Sequence, residues 1–520
     1  MRFLQSSIFS PFALAVQPVV MMFALNVESV SLSDFAIPAL AGVLVAAFFG
    51  SLAWLLFRNK FKAAGMTSVF MLLFFSFRDI STWVEGRTGV TETASEWLTL
   101  FLMLLILLLF GSIGLRIIRN MREMNLYFNV LSVLFLLYSS YILTRNVMET
   151  GVWQERLQPS VPPVAADAGD DSLPDIYYII LDGYGSQHAL RKYYEFDNGA
   201  FIDQLEEMGF YVAAGSNSNY IQTSLSLCSS LNSDYIEDIS IGKRPIRKRS
   251  HLFNCIRDSR IRRLLAERGY RMVSFQTSYE FVSITDADIF YGNGNRSKFI
   301  SLVLDVTMAR MLRGNGYVRN WLYALPYTEH RRITLDTLDR LQEIPEIDGP
   351  LFVFAHVIAP HPPFIFDENG PILEFSAPFT LGDASDYIET HSRQEYLDGY
   401  RAQVQYLNGL VIDTISAILE RSDPPPILII QGDHGPGAYL DWESLEGSKL
   451  DERFGILDAY YFPDQNYASL YETISPVNSF RAVLNGYFDG KYDLLPDRHY
   501  FSTWSRPLKF TEVDLTRMEK

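Results

Sequence analysis

The chain is poor in cysteine, poor in positive charge and, over its first 146 residues, poor in charge of either sign. Two cysteines, Cys228 and Cys255, in 520 residues exclude a disulfide-dense scaffold and a cysteine zinc cluster. They leave room for one bridge in an oxidising compartment, although sequence cannot bring their Cα atoms together. With 44 Lys and Arg against 60 Asp and Glu, the net charge is −16, which argues against a nucleic-acid partner. The run from Lys243 to Arg249 is the one basic exception. It reads either as a solvated loop or as a contact for anionic lipid headgroups.

What the first 146 residues do have is apolar length. A spanning helix needs about 20 mostly apolar residues, and five segments approach this: about 8–27, 35–57, 63–77, 97–115 and 126–144. The third is the weakest, being short and running into Arg78 and Asp79. A cleaved signal peptide would be a single short stretch, which five spans do not resemble. Arg58, Lys60 and Lys62 follow the second span and Arg116, Arg119 and Arg122 the fourth, whereas the segment 28–34 has neither Lys nor Arg. The positive-inside bias therefore sets the N-terminus in the cytoplasm and, after five crossings, everything beyond Arg145 on the far side.

Residues 158–174 are rich in proline, alanine and acidic residues without apolar periodicity, as in a linker. The expected organisation is a transmembrane bundle at 1–146, a linker at 147–174 and a catalytic domain at 175–520. In the last, short apolar runs at 176–181, 210–213, 271–275, 351–356, 427–431 and 456–462 predict strands. Helical patterns at 200–208, 261–268, 332–341 and 395–420 lie between them. Continuous apolar strands alternating with helices predict an α/β, doubly wound, mainly parallel sheet covered on both faces. Such sheets bind ligands beyond the carboxyl ends of their strands.

Polar residues cluster at those ends. The first strand runs into Asp182-Gly183-Tyr184-Gly185, weak alone because Asp-Gly is a common turn. The strand at 427–431 runs into Gly432-Asp433-His434-Gly435, a more specific signal. Carboxylate oxygen and imidazole nitrogen together suit Zn²⁺ or Mn²⁺, with Mg²⁺ as a further alternative. Between them lies a Ser/Thr-rich stretch, from Asn217 through Asn219 to Thr223 and Ser224, that reads as the start of a helix. A hydroxyl there faces the positive end of the helix dipole and, beside a divalent cation, loses its proton more readily. Taken alone, ordinary helix capping explains it as well. The strand at 351–356 leads into His356-Val357-Ile358-Ala359-Pro360-His361-Pro362-Pro363. Two histidines at one strand tip are better explained as site residues than as core.

The order of these pieces resembles the alkaline-phosphatase superfamily in its sulfatase-like branch. The spans plus an external domain look like membrane-anchored lipoteichoic acid synthases and phosphoethanolamine transferases. The stretch Arg453-Phe454-Gly455-Ile456-Leu457-Asp458 is also similar to the family's segment after its Asp-His motif. The resemblance implies that Asp182, Thr223, Asp433 and His434 hold a divalent metal and that Thr223 is the nucleophile. It implies that His361 contacts substrate or leaving group, with His356 and Asn219 as further substrate-binding candidates. The synthases usually carry Glu where this chain has Asp182, and no further histidine follows His434 before His499. Formylglycine sulfatases need Cys or Ser before X-Pro-X-Arg, whereas Cys228 precedes Ser-Ser-Leu-Asn, so sulfate-ester chemistry is not implied. The expected activity is transfer of a phosphoryl-linked headgroup from a phospholipid to an envelope glycan or lipid at the membrane. The alternatives are a membrane-bound phosphodiesterase or phosphatase on the same site and a non-catalytic scaffold.

Overall fold

The computed structural model describes residues 6–26, 32–114, 120–150, 173–241, 244–292, 296–314, 316–372, 375, 377 and 379–515. Most of the expected linker, the segment from Glu28, Arg116, Arg119 and Lys243 lie outside these residues. Two compact units are present: residues 1–159 with 294–326, and residues 160–293 with 327–520.

The first unit is helical. Three helices, Asp34–Phe57, Glu92–Ser112 and Met121–Val147, are long and apolar enough to cross a membrane. Lys60–Phe75 and Phe77–Thr88 add a fourth candidate as a pair bent by 58°. The shorter helix Phe9–Leu25 covers the first expected span. Among the described residues the expected five are thus three or four by length, with the bend falling at Ser76, where the weak third span meets Arg78 and Asp79. Phe48, Leu56, Leu108 and Leu137 point outward and are exposed, an arrangement that suits a lipid solvent rather than water. Inside the bundle, helices are joined by polar contacts. Gln17 donates to Ser139 Oγ at 2.9 Å, and the Ser10 backbone N–H donates to Asn129 Oδ1 at 3.0 Å. Residues 294–326, expected within the catalytic domain, group with this unit. Phe299 and Val303 of the helix Arg296–Val306 pack on Val19, Phe23 and Ala39, while Arg310 is ion-paired with Glu92 and Glu96.

The second unit is built on a seven-stranded sheet: β1 (Ile176–Leu181), β2 (Tyr211–Val212), β3 (Arg271–Phe275), β4 (Ile289–Tyr291), β5 (Leu351–Val357), β6 (Ile427–Gln431) and β7 (Asp458–Tyr461). The order is β2-β7-β6-β1-β5-β3-β4. All neighbours are parallel except β7, which runs antiparallel to both β6 and β2. Every residue of β1, β5 and β6 is buried because hydrophobic clusters cover both sheet faces, as their unbroken apolar runs require. The helix Arg393–Arg421 starts at a capping box between Ser392 and Glu395 and lays Val404, Leu407, Val411 and Ile415 on one face. β4 was not anticipated. Three half-buried residues give too short a run to stand out from loop.

The two cysteines join the helices Thr223–Asn232 and Arg249–Arg257, with a Cα–Cα distance of 5.5 Å and a sequence separation of 27. Closing a loop of that length restricts the unfolded chain, so Cys228→Ser with Cys255→Ser is expected to cost about 2–4 kcal/mol. Denaturant unfolding with and without reductant measures it, and identical midpoints would show that no bridge forms.

Candidate metal centre

The strand order sets β6, β1 and β5 side by side, so the residues at their carboxyl ends converge. Asp182 follows β1, His356 is the sixth residue of β5, and Asp433 and His434 follow β6 after one glycine. Gly183, at φ +73°, takes a left-handed turn directly after Asp182, and its N–H donates to Asp433 Oδ1 at 3.0 Å. A side chain at Gly435 would meet the carbonyl oxygen of Glu452 at 2.1 Å, so this turn also excludes one.

Asp182, His356 and Asp433 are buried and offer ligand atoms within 4.8 Å of one another. His356 Nε2 lies 3.1 Å from Asp182 Oδ2. Yet both oxygens of Asp182, Oδ2 of Asp433 and both ring nitrogens of His356 lack a hydrogen-bond partner. Buried carboxylates left in that state are costly, and a cation is what would satisfy them. An O/N donor set of this kind fits a divalent metal. His434 stands on the same cluster, with Nε2 3.5 Å from Asp433 Oδ2 and 3.7 Å from Asp182 Oδ1. Burial, reinforced by the Arg453 guanidinium, pulls His434 down to about 4, so at neutral pH the ring is uncharged and keeps a lone pair. Its Nδ1 faces the Gly435 carbonyl at 2.9 Å, leaving Nε2 toward the cluster.

Thr223 opens the helix Thr223–Asn232 and is half-buried, whereas Ser224 and Ser226 behind it are buried. Its Oγ1 lies 3.2 Å from His434 Nε2. The Ser226 hydroxyl donates to the Tyr220 carbonyl at 2.9 Å and so is committed to the fold. His361 is tied to the first strand tip, its backbone N–H donating to the Asp182 carbonyl at 3.0 Å. Its ring Nε2 meets Tyr279 OH at 3.1 Å.

The structure thus gathers Asp182, Thr223, Asp433 and His434, with His361 beside them. His356, expected to touch substrate, stands instead among the carboxylates. Asn219, the other substrate-binding candidate, spends its amide on the fold. Its amide donates to Ser475 Oγ and the Arg498 carbonyl and accepts from the Val477 N–H, which makes it a fold-holding residue.

Sequence reasoning passed over three residues. Arg453 is fully buried, donates to the carbonyls of Ile221 and Gly435, lies 3.3 Å from His434 Nε2 and pairs with Asp383 at 2.8 Å. Burial alone pushes Asp383 up, but Arg453 followed by His361 and His434 outweighs it and holds the carboxyl at about 2. Tyr279 bridges His361 and the Leu381 carbonyl. Arg453 stood in a stretch already singled out, but nothing in its spacing pointed inward. Asp383 lies in none of the motifs singled out in the sequence and also caps the helix Ala384–Thr390.

Fold and site together define an enzyme of the alkaline-phosphatase superfamily. The sulfatase family model matches residues 174–478, more than half of the chain, and the chain belongs to that family. No curated protein matches. Among solved structures, the membrane-protein lipooligosaccharide phosphoethanolamine transferase A of Neisseria meningitidis is 13% identical, with a TM-score of 0.37 and 94% of each chain covered. The C-terminal periplasmic domain of EcEptC of Escherichia coli is 12% identical with a TM-score of 0.40, covering 68% of this chain and 96% of that one. A putative sulfatase of Bacteroides fragilis is 11% identical with a TM-score of 0.37, covering 67% and 85%. At such identities and TM-scores the likeness says nothing about substrate.

Proposed function

We propose that this protein is a membrane-anchored, metal-dependent transferase that moves a phosphoryl-linked headgroup from a phospholipid to an envelope glycan or lipid through Thr223. The observation that carries the proposal is the half-buried Thr223 hydroxyl at a helix N-terminus, beside a buried Asp182–His356–Asp433–His434 cluster in which both Asp182 oxygens and Asp433 Oδ2 lack hydrogen-bond partners. Those four residues would hold the ion, Zn²⁺, Mn²⁺ or Mg²⁺. When bound, it supplies positive charge that favours the ionised hydroxyl and a negatively charged phosphoryl group.

Thr223 releases its proton to water, its Oγ bonds to phosphorus, and the bond from phosphorus to the donor alcohol breaks. The departing oxygen takes a proton from His361. In the second half the acceptor hydroxyl returns a proton to His361, and its oxygen bonds to phosphorus. The Thr223–phosphorus bond then breaks, with Thr223 regaining a proton. Arg453 and Asp383 hold the His434 turn against the loop that ends at Ile221, so that imidazole and hydroxyl keep their spacing. Formylglycine chemistry is disfavoured further, because Cys228 is bridged to Cys255. The decisive experiment is acid-quenching the protein with a fluorescent phospholipid and sequencing its peptides by mass spectrometry. A phosphorylated Thr223 is expected, and its absence during active turnover would sink the covalent route.

The same reading has the catalytic unit outside the cytoplasm, a compartment that also suits a buried disulfide. A reporter fused after Arg145 should act outside and one fused after Lys62 inside; a cytoplasmic signal from the first would reverse the orientation.

A further inference from the structure

The helical unit holds a cavity of about 310 Å³ that the transfer chemistry does not use. Its walls come from the start of the helix Phe9–Leu25, the second half of Asp34–Phe57 and the first half of Lys60–Phe75. Small side chains leave the space open. Ala46 and Gly50, one turn apart, line it from the second of these helices, and Ala63 and Ala64 line it from the third. From Ala46 to Trp54, also on the lining, the helix rises about 12 Å, so the space is a shaft rather than a shallow dent.

The shaft and its mouth differ in chemistry. Inside, the Thr67 hydroxyl is already committed, donating to the Ala63 carbonyl at 2.8 Å, and alanine and glycine side chains offer water no partner. At the mouth Lys60 is exposed, and so are Ile8 at 62% and Trp54 at 48%. The guanidinium carbon of Arg58 lies 5.4 Å from the Trp54 ring centroid. No Asp or Glu stands between Asp34 and Asp79, so that whole stretch brings these cations no carboxylate.

An apolar shaft of this kind does not hold water. In a bilayer, hydrocarbon is the solvent, and an apolar side chain as exposed as Ile8 marks the mouth as facing lipid. An acyl chain fills such a shaft, and cations at its rim select the charge of the headgroup. We infer that this cavity is a binding site for one anionic phospholipid, with an acyl chain in the shaft and the phosphate between Arg58 and Lys60. The assignment rests on the apolar helices crossing a membrane and not on the transfer reaction. All four residues of the proposed metal cluster belong to the other unit.

The test is native mass spectrometry of the full-length protein, delipidated in detergent and titrated with phosphatidylglycerol, phosphatidylethanolamine or inorganic phosphate. One phosphatidylglycerol per chain should be retained, about fivefold more tightly than phosphatidylethanolamine, the factor expected of one cation close to an anionic headgroup. Lys60→Gln should remove most of that preference. A Cβ on Gly50 would stand 3.4 Å from the Thr67 hydroxyl, an ordinary contact, so Gly50→Leu places its remaining carbons in the shaft and should abolish retention. Lys60→Gln leaves the packing untouched and keeps the test decisive where Gly50→Leu fails to fold. Equal retention by wild type and a folded Gly50→Leu would overturn the inference. So would equal affinity for the two lipids, which reads hydrocarbon alone, or displacement of phosphatidylglycerol by inorganic phosphate, which reads the cations alone. Phosphorylation of Thr223 is followed separately, so failure here leaves the transfer reaction standing.

Discussion

Thr223→Ala is expected to lower turnover of a chromogenic phosphodiester by at least about 10³-fold, because on the proposed covalent route it deletes the oxygen that bonds to phosphorus. The fold should survive, since the position is half-buried and its side chain contributes one methyl to packing. Thr223→Ser keeps the hydroxyl at the same helix N-terminus and should retain measurable activity. Ser226 cannot stand in, because its hydroxyl is spent on the Tyr220 carbonyl, and Ser224 is buried one residue further along. Near-normal turnover in Thr223→Ala would mean that water attacks phosphorus directly, with the cluster unchanged.

The second large effect concerns the metal. Asp433→Ala and Asp182→Ala should each abolish stoichiometric binding of a divalent ion, measured by elemental analysis after dialysis, and with it turnover. Stability gives an independent readout. In the metal-free protein the two carboxylates and His356 share a buried volume with unsatisfied oxygens, so removing one carboxylate relieves an unfavourable burial. Wild type should gain about 2.7 kcal/mol at an ion concentration of 100 times Kd, while the variants gain nothing. Equal metal-induced stabilisation of wild type and Asp433→Ala would remove the cluster from the site.

Much of this site could be read in the sequence because strand tips are local features. An apolar run that stops at Asp182, and another that stops before Asp433-His434, each name a candidate without reference to the rest of the chain. The parallel sheet was legible for the same reason: β1, β5 and β6 are unbroken apolar runs, as strands buried on both faces must be. What escaped depends on pairings distant in sequence. His356 joins the carboxylates because β5 lies next to β1, a neighbour relation that its own surroundings do not encode. Arg453 acts through carbonyls of residues 221 and 435, and β7 looks like any other apolar run although it enters the sheet antiparallel. The grouping of 294–326 with the membrane unit follows from the apolar spacing of Phe299 and Val303, which a solvated helix of an α/β domain shares.

The neighbour relation of β6 and β1 also has a consequence for biogenesis. Gly183 bonds to Asp433 across 250 residues of sequence. A chain synthesised from its N-terminus exposes its first carboxylate ligand long before its last, and loop closure over such a span is slow. On the proposed reading, the centre would be completed among the final events of folding. Metal capture would then act as the latch on a sheet already formed, and the ion would be drawn from the compartment in which the second unit finishes folding.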